Sequence, residues 1–387
     1  MRKLHLIEAV CLVGGAGIGG GIMALPYLVV RTGFWPAVFI MIIAYAVSLI
    51  LHIMVAELSI RTDYSSELLT VFTKHLFRGS EALRIAFYVL MAVTLVCNLA
   101  AYVTGAGEIL AELMGISVIA AETLFFAAAA IVVFLGLKRL AINETAALAL
   151  MVVLLAVLVV QTIRLPAHEQ LAPARREASP LLAVYGMAVF CLSSLFAVPQ
   201  AASGLCGSAE HRLQNRRLLL AVGLGLLINL FVMITVVLCT LLGSSPVTEV
   251  AIVGWAASLG GKMHIFGSLF IALAMLTSFW SISLQLSDMT KEFFRAGRFF
   301  SWLAATAPSF LLALRPLSGF LALMQIAGGA TAVVIAFMVV PAYRNAVQGI
   351  RQKPGGDELL LGTIGNSVVV CAAVVIMYVL VAVGSFL

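Results

Sequence analysis

Long apolar runs separated by short polar stretches set the pattern of this chain. Hydropathy divides it into eleven spans, at about 5–30, 34–60, 83–110, 118–137, 142–163, 181–207, 217–243, 264–288, 299–314, 318–341 and 362–386. A helix needs roughly 20 predominantly apolar residues to cross hydrocarbon, and most of these runs supply them. The polar stretches between them are brief. Asp63 to Ser80 fits a short amphipathic cytoplasmic helix, while Arg164 to Pro180, with three prolines, and Gly243 to Gly261 read as outside loops. None is long enough for a soluble domain, so the pattern predicts an all-α membrane protein that is essentially its helix bundle.

Two spans break the pattern. In span one, Val13-Gly14-Gly15-Ala16-Gly17-Ile18-Gly19-Gly20-Gly21 is followed by Pro26. Each of these glycines costs about 1 kcal/mol against Ala in a helix interior. Backbone left unpaired at bilayer depth is tolerated only where it lines an enclosed cavity. A second reading treats Gly15/Gly19 and Gly17/Gly21 as small residues that let a neighbouring helix approach closely. Span six is interrupted in the same way, at Phe190-Cys191-Leu192-Ser193-Ser194-Leu195-Phe196, and its Ala197-Val198-Pro199 echoes Ala24-Leu25-Pro26. Two broken helices, five spans apart and opposite in direction, are the signature of an inverted 5+5 repeat. The expected division is 1–163 for the first repeat, 164–180 for an extracellular loop, 181–341 for the second repeat, and 342–387 for a cytoplasmic loop with span eleven.

Composition agrees with the bilayer as solvent: 63% of residues are hydrophobic, 10% are charged and the mean hydropathy is +1.14. The net charge of +6 does not point to nucleic acid, because the basic residues lie in clusters between spans. With the N-terminus inside, all but six of the 23 Lys and Arg fall on the cytoplasmic side; the six are Arg31, Arg164, Arg175, Arg176, Lys262 and Arg315. Loop basicity then sets a cytoplasmic N-terminus and an extracytoplasmic C-terminus. Arg2 and Lys3 precede a run that is long enough to span, without the short core and small-residue cleavage site of a signal peptide. Short loops suit a prokaryotic plasma membrane (inner membrane). The six cysteines sit in apolar segments without paired spacing and suggest neither disulfides nor a metal site.

Chemistry has few carriers. The ionisable residues within the spans are Glu8, His52, Glu57, Glu108, Glu122, Glu144 and Asp288. All but His52 lie within about two turns of a span end, where a long side chain reaches the interface cheaply. His52, the deepest, reads either as a histidine bonded to a neighbouring helix or as a proton relay. No metal-ligand spacing and no nucleophile–base pairing appears, which disfavours an enzyme. Span eight is different: Thr277-Ser278-Phe279-Trp280-Ser281-Ile282-Ser283-Leu284-Gln285-Leu286-Ser287-Asp288 carries more polar side chains than helix gluing needs. Span three adds Asn98, Tyr102 and Thr104, and span ten adds Gln325 and Thr331. Polar groups from spans one, three, six and eight on one cavity fit a small polar solute.

Four stretches, in order along the chain, resemble the hydroxy/aromatic amino acid permeases (tryptophan/tyrosine permease-like) of the amino acid–polyamine–organocation superfamily. They are Gly14 to Pro26 (G-G-x-x-I-G-x-G-x-x-x-L-P), Phe190 to Pro199 (F-C-L-x-S then V-P), Thr277 to Asp288 (T-S-F then L-x-L-x-D) and Ser318 to Pro341 (G-F-L, A-G, P-A). The resemblance implies a leucine-transporter-like fold with helices 1 and 6 broken, working by alternating access with spans one, two, six and seven as the moving bundle. It implies that the amides of Gly19, Gly20 and Gly21 hold a substrate carboxylate, as a helix N-terminus readily does. By the same likeness, Ala16, Gly17, Ser193 and Ser194 complete the polar shell, and Tyr102, Phe190 and Phe196 wall the side-chain pocket. In relatives that use sodium, the matching ion positions are Gly14, Gly17, Thr277 and Ser278. Related permeases are commonly proton-coupled, so either H+ or Na+ is the coupling ion, with no other cofactor. Asp288 with Arg2 or Lys3 would form an inner gate. Departures at Leu195-Phe196-Ala197, Ser281, Ser283 and Gln285 touch the expected pocket and leave the substrate open among neutral amino acids, aromatic ones favoured. The partners implied are this solute and lipid; an uncoupled facilitator and an intramembrane enzyme are the rival readings, and oligomeric state leaves no mark.

Overall fold

A computed structural model of the chain describes residues 4–64, 68–164, 178–205, 211–244, 247, 251–314, 320–351, 360, 361, 365 and 367–384. In order these form α1 (Leu6–Gly17), α2 (Gly21–Thr32), α3 (Phe34–Arg61), α4 (Leu68–Phe72) continued by a π-helical turn at Thr73–Phe77, α5 (Glu81–Met114), α6 (Val118–Leu135) and α7 (Leu137–Arg164). Then follow α8 (Ala178–Cys191), α9 (Ala197–Leu205), α10 (His211–Gly243), α11 (Ala251–Ser258), α12 (Met263–Phe294) and α13 (Arg298–Ala313). The last are α14 (Phe320–Val334) with a π-helical turn at Ile335–Val339, α15 (Val340–Arg351) and α16 (Val368–Gly384). All regular elements among the described residues are helical. Seven helices are long and apolar enough to cross a membrane, or eight if the α1–α2 pair, bent by 55°, counts as one span. The protein is a multi-pass membrane protein.

Local chemistry sets the helix ends. Ser80 and Ser117 accept from the amides of Leu83 and Ala120, capping α5 and α6. Gly115, at φ 67°, ends α5 in the left-handed conformation that glycine adopts without strain. At the other end of the chain, His5 and Glu8 form a capping box at the start of α1, with the His5 amide 2.8 Å from Glu8 Oε2. The polar stretch 63–80 does hold a short helix, built from α4 and its π-helical turn.

Two groups of helices pack face to face. In one, α1 lies on α10, α2 on α8, α3 on α8 and α10, and α9 on α1 and α3; in the other, α5 gathers α6, α12, α13 and α14. The groups meet where α1 lies on α7 and α12. Close approach depends on absent side chains: a Cβ at Gly225 of α10 would lie 2.7 Å from Val13 Cγ1 and 3.0 Å from the Gly14 amide nitrogen. Large apolar side chains such as Trp35, Phe39, Val93, Ile131 and Phe231 are exposed, as lipid-facing positions require.

Burial corrects one expectation about the charges. Of the acids near span ends, Glu57, Glu122 and Glu144 are buried rather than reaching an interface. Glu57 pairs with Arg61 at 3.0 Å and accepts the Leu360 amide at 2.8 Å. Glu122 packs against Gly107 of α5. Glu8 is held by Lys138 of α7 at 2.7 Å. Distance to a span end along the chain does not measure burial when a neighbouring helix covers that face.

Candidate functional site

The break in span one comprises residues 18–20, between α1 and α2. Every carbonyl at the end of α1 must find a donor outside the helix, and the structure supplies them one by one. Gly14 O takes the Ile18 amide at 3.3 Å and Gly17 O takes the Gly19 amide at 2.9 Å. Gly15 O accepts from Thr277 Oγ1 at 3.0 Å, and Ala16 O from Ser278 Oγ at 3.1 Å. Val13 O accepts from Ser194 Oγ at 2.6 Å. On the far side of the break, the Ile22 and Met23 amides return to Gly19 O and Gly20 O, and among the described residues no backbone carbonyl takes the Gly20 amide.

The break in span six comprises residues 192–196, between α8 and α9. Leu192 and Ser193 close the end of α8 through bonds to Ala188, Val189 and Phe190, while the Ala197 and Val198 amides start α9 on Ser194 O. The amides of Leu195 and Phe196 have no backbone acceptor among the described residues. Ser194 is the pivot. Its amide donates to Leu192 O and to His52 Nε2, both at 3.0 Å, and its hydroxyl reaches span one. His52 Nδ1 lies 2.6 Å from Ser48 O, so the ring donates there and accepts from Ser194; that fixes a neutral tautomer. Of the two readings of His52, this geometry is the bond to a neighbouring helix.

The expected pocket residues gather around these breaks. A Cβ at Gly19 would lie 2.9 Å from the Tyr102 hydroxyl and 2.8 Å from Ser278 Oγ; one at Gly21 would lie 2.7 Å from Phe190 Cδ1. Phe190 is backed in turn by Gly328 of α14, whose Cβ would be 3.1 Å away. Phe196 and Ser194 are buried, and Ser193 and Ala16 are half-buried. Thr277 and Ser278 do reach span one, but at Gly15 and Ala16. Gly14 instead faces Gly225 and Leu148, and Gly17 faces Asn229 and Ser194. Asp288 is half-buried, with Lys291 and Arg298 as its charged neighbours. Arg2 and Lys3 lie outside the described residues, as does the side chain of Gln325.

Of two buried groups at the break, the sequence reading missed Asn229 and placed Glu144 near an interface. Asn229 of α10 is fully buried, neither end of its amide has a partner among the described residues, and it faces Gly17. Glu144 of α7 is fully buried against Gly15, accepting the Ser281 hydroxyl at 3.3 Å. Gln200 of α9 donates to Ser281 O at 2.9 Å, so the polar stripe of α12 meets spans one, five and six. No three His, Cys, Asp or Glu side chains cluster as metal ligands among the described residues.

Solved structures with the same fold are transporters. Mhp1, a nucleobase-cation-symport-1 family transporter in a closed conformation with bromovinylhydantoin bound, superposes with a TM-score of 0.68 over 99% of this chain and 91% of its own, at 12% identity. A mutant of the Eremococcus coleocola manganese transporter superposes with a TM-score of 0.69 over 97% and 85%, at 15% identity. Comparison with curated proteins found no match. The model of the tryptophan/tyrosine permease family matches residues 2–383. That match takes in both breaks and the whole polar stripe of α12, and the chain belongs to the tryptophan/tyrosine permease family, which makes it a transporter and not an enzyme.

Proposed function

We propose that this protein is a secondary active transporter that imports a neutral, aromatic L-amino acid by alternating access, driven by a proton or sodium gradient. The observation that carries the reading is the pair of facing helix breaks. Gly20, Leu195 and Phe196 offer amides that no backbone carbonyl among the described residues takes, at the N-terminal ends of α2 and α9. A helix N-terminus with open amides favours an anion, which suits a substrate carboxylate. Tyr102 lies at Gly19, Phe190 at Gly21 and Phe196 within the span-six break, and their side chains suit an aromatic ring. The bound solute named for the Mhp1 structure is a precedent for a small ring compound in this fold. In this reading the first ten of eleven spans form the 5+5 repeat, α1–α2 with α3, α8–α9 and α10 rock against the other helices, and the N-terminus faces the cytoplasm of a prokaryotic cell.

The test is uptake in liposomes containing the purified protein, with radiolabelled L-tryptophan and L-tyrosine as probes. Counterflow, in which unlabelled solute inside draws labelled solute in, reports transport alone. Accumulation under an imposed pH or sodium gradient reports coupling and excludes an uncoupled facilitator. Counterflow with neither probe nor any of the other eighteen amino acids would overturn the substrate class. The placement has its own check: Gly20→Leu sets a bulky side chain where the open amide lies. It should abolish probe binding while the protein still melts at the wild-type temperature; retained affinity refutes the site.

A further inference from the structure

We infer that Glu144 is the proton carrier of the transport cycle, holding its proton while α1 is closed on α7 and α12 and exchanging it with water when α1 moves away. This inference rests on the transport reading above. Glu144 lies in α7 with its side chain fully buried. Oε1 takes one hydroxyl, from Ser281, and Oε2 has no partner among the described residues. Among the described residues no Lys, Arg or His makes an ion pair with it. An ionised carboxylate in such a place, without a cation, costs several kcal/mol. A proton on Oε2 removes that cost, so the closed arrangement holds the neutral acid.

The position links that proton to the moving part. The carboxyl lies over Gly15, and the absence of a Cβ there is what lets it fit. Gly15 also gives its carbonyl to Thr277, one turn before Ser281 on α12. The acid, the helix break and the scaffold thus meet at one residue of span one. When α1 leaves, water reaches Oε2 and solvates the carboxylate, so the proton can exchange with that water. With the site open to the outside, a proton from external water adds to Oε2. With the site open to the cytoplasm, the same proton leaves from the same oxygen, so one proton enters per cycle and no bond of the substrate changes.

The groups around Glu144 do not compete for this role. On α1, Cys11 is the titratable side chain that faces it, and Glu8 is engaged by Lys138. On α12, Asp288 lies two turns beyond Ser281 with Lys291 and Arg298 as its neighbours. On α6 the one acid, Glu122, packs against Gly107 of α5. Asn229 of α10 and Gln200 of α9 are uncharged.

The experiment compares wild type, E144Q and E144D in liposomes with L-tryptophan and L-tyrosine, with the membrane potential clamped at zero. One proton per substrate predicts about tenfold accumulation per unit of inward pH gradient in wild type. E144Q, which mimics the neutral acid, should keep counterflow but lose proton-driven accumulation and the pH dependence of probe binding. E144D should keep coupling with its pH midpoint displaced. Proton-driven accumulation by E144Q overturns the inference, and so does loss of its counterflow in protein that melts normally. Wild type gives a check that needs no variant: binding of the probe in weakly buffered detergent solution should take up about one proton per protein, and no uptake overturns the assignment. Failure of wild-type counterflow with every amino acid, by contrast, refutes the transport reading itself.

Discussion

The hydroxyls of Thr277 and Ser278 are placed to hold α1 closed against the other helix group, and removing them should open it. Thr277 donates to Gly15 O and Ser278 to Ala16 O, at 3.0 and 3.1 Å, across the boundary between the two groups of helices. Such bonds net about 1 kcal/mol each after exchange with water. Thr277 divides its single proton between Gly15 O and Ala274 O, both at 3.0 Å, so its share is the smaller. Thr277→Val with Ser278→Ala therefore costs the closed state about 1.5 kcal/mol, which multiplies the open population about tenfold. Cys11 reads that population: it is half-buried on α1, beside Thr145 and Glu144 of α7, and opening exposes it. In protein whose other cysteines are replaced by Ala, the alkylation rate of Cys11 by a small maleimide should rise about tenfold in the double variant, with little change in melting temperature. A rate within twofold of the parent would refute the reasoning, because the bonds would then exist in both states or in neither.

Two further substitutions separate folding from function. His52→Leu removes one of the two acceptors of the buried Ser194 amide, both of which lie within the same helix group; it should destabilise the protein by about 1 kcal/mol in a thermal melt and leave Cys11 alkylation unchanged. Gly17→Ala drives a methyl into the Asn229 amide and to 2.8 Å from Ser194 Oγ, so counterflow should be lost, and adding Asn229→Ala should restore part of it.

The breaks were legible because they are local. Glycine runs, the Pro at 26 and 199, and paired hydroxyls at 193–194 and 277–278 each weaken or replace helical bonding wherever they fall. Their partners were less so. A helix turns about 100° per residue, so a motif match at Gly14 and Gly17 does not itself give the Gly15 and Ala16 carbonyls to which Thr277 and Ser278 donate. Asn229 sits alone in Leu227-Ile228-Asn229-Leu230, and a lone amide in an apolar run looks the same whether it glues helices or faces a break. Glu144 was read as close to an interface because the apolar run begins near it, yet α7 starts at Leu137 and carries the acid about two turns into the bundle. Depth was set by α1 and α12 lying across that face, which no periodicity within α7 encodes.

The two breaks are anchored differently, and that difference suggests where the molecule can move. Within the first helix group the joints are close and apolar: α1 meets α10 through Gly14 and Gly225, and Gly21 lies on Phe190. The span-six break is tied to α3 by His52 and to span one by Ser194, so both breaks belong to one body. Across the boundary to α7 and α12, the bonds at the end of α1 are two hydroxyl–carbonyl contacts and a carboxyl packed on a glycine. Water can replace a hydroxyl–carbonyl bond at little net cost, whereas separating packed apolar faces forfeits their whole burial. A plane of polar contacts beside a plane of apolar ones therefore opens first at the polar side. That side holds Glu144, so in the proposed cycle the step that exposes the substrate site would also expose the acid, and a single motion would serve both solute and proton.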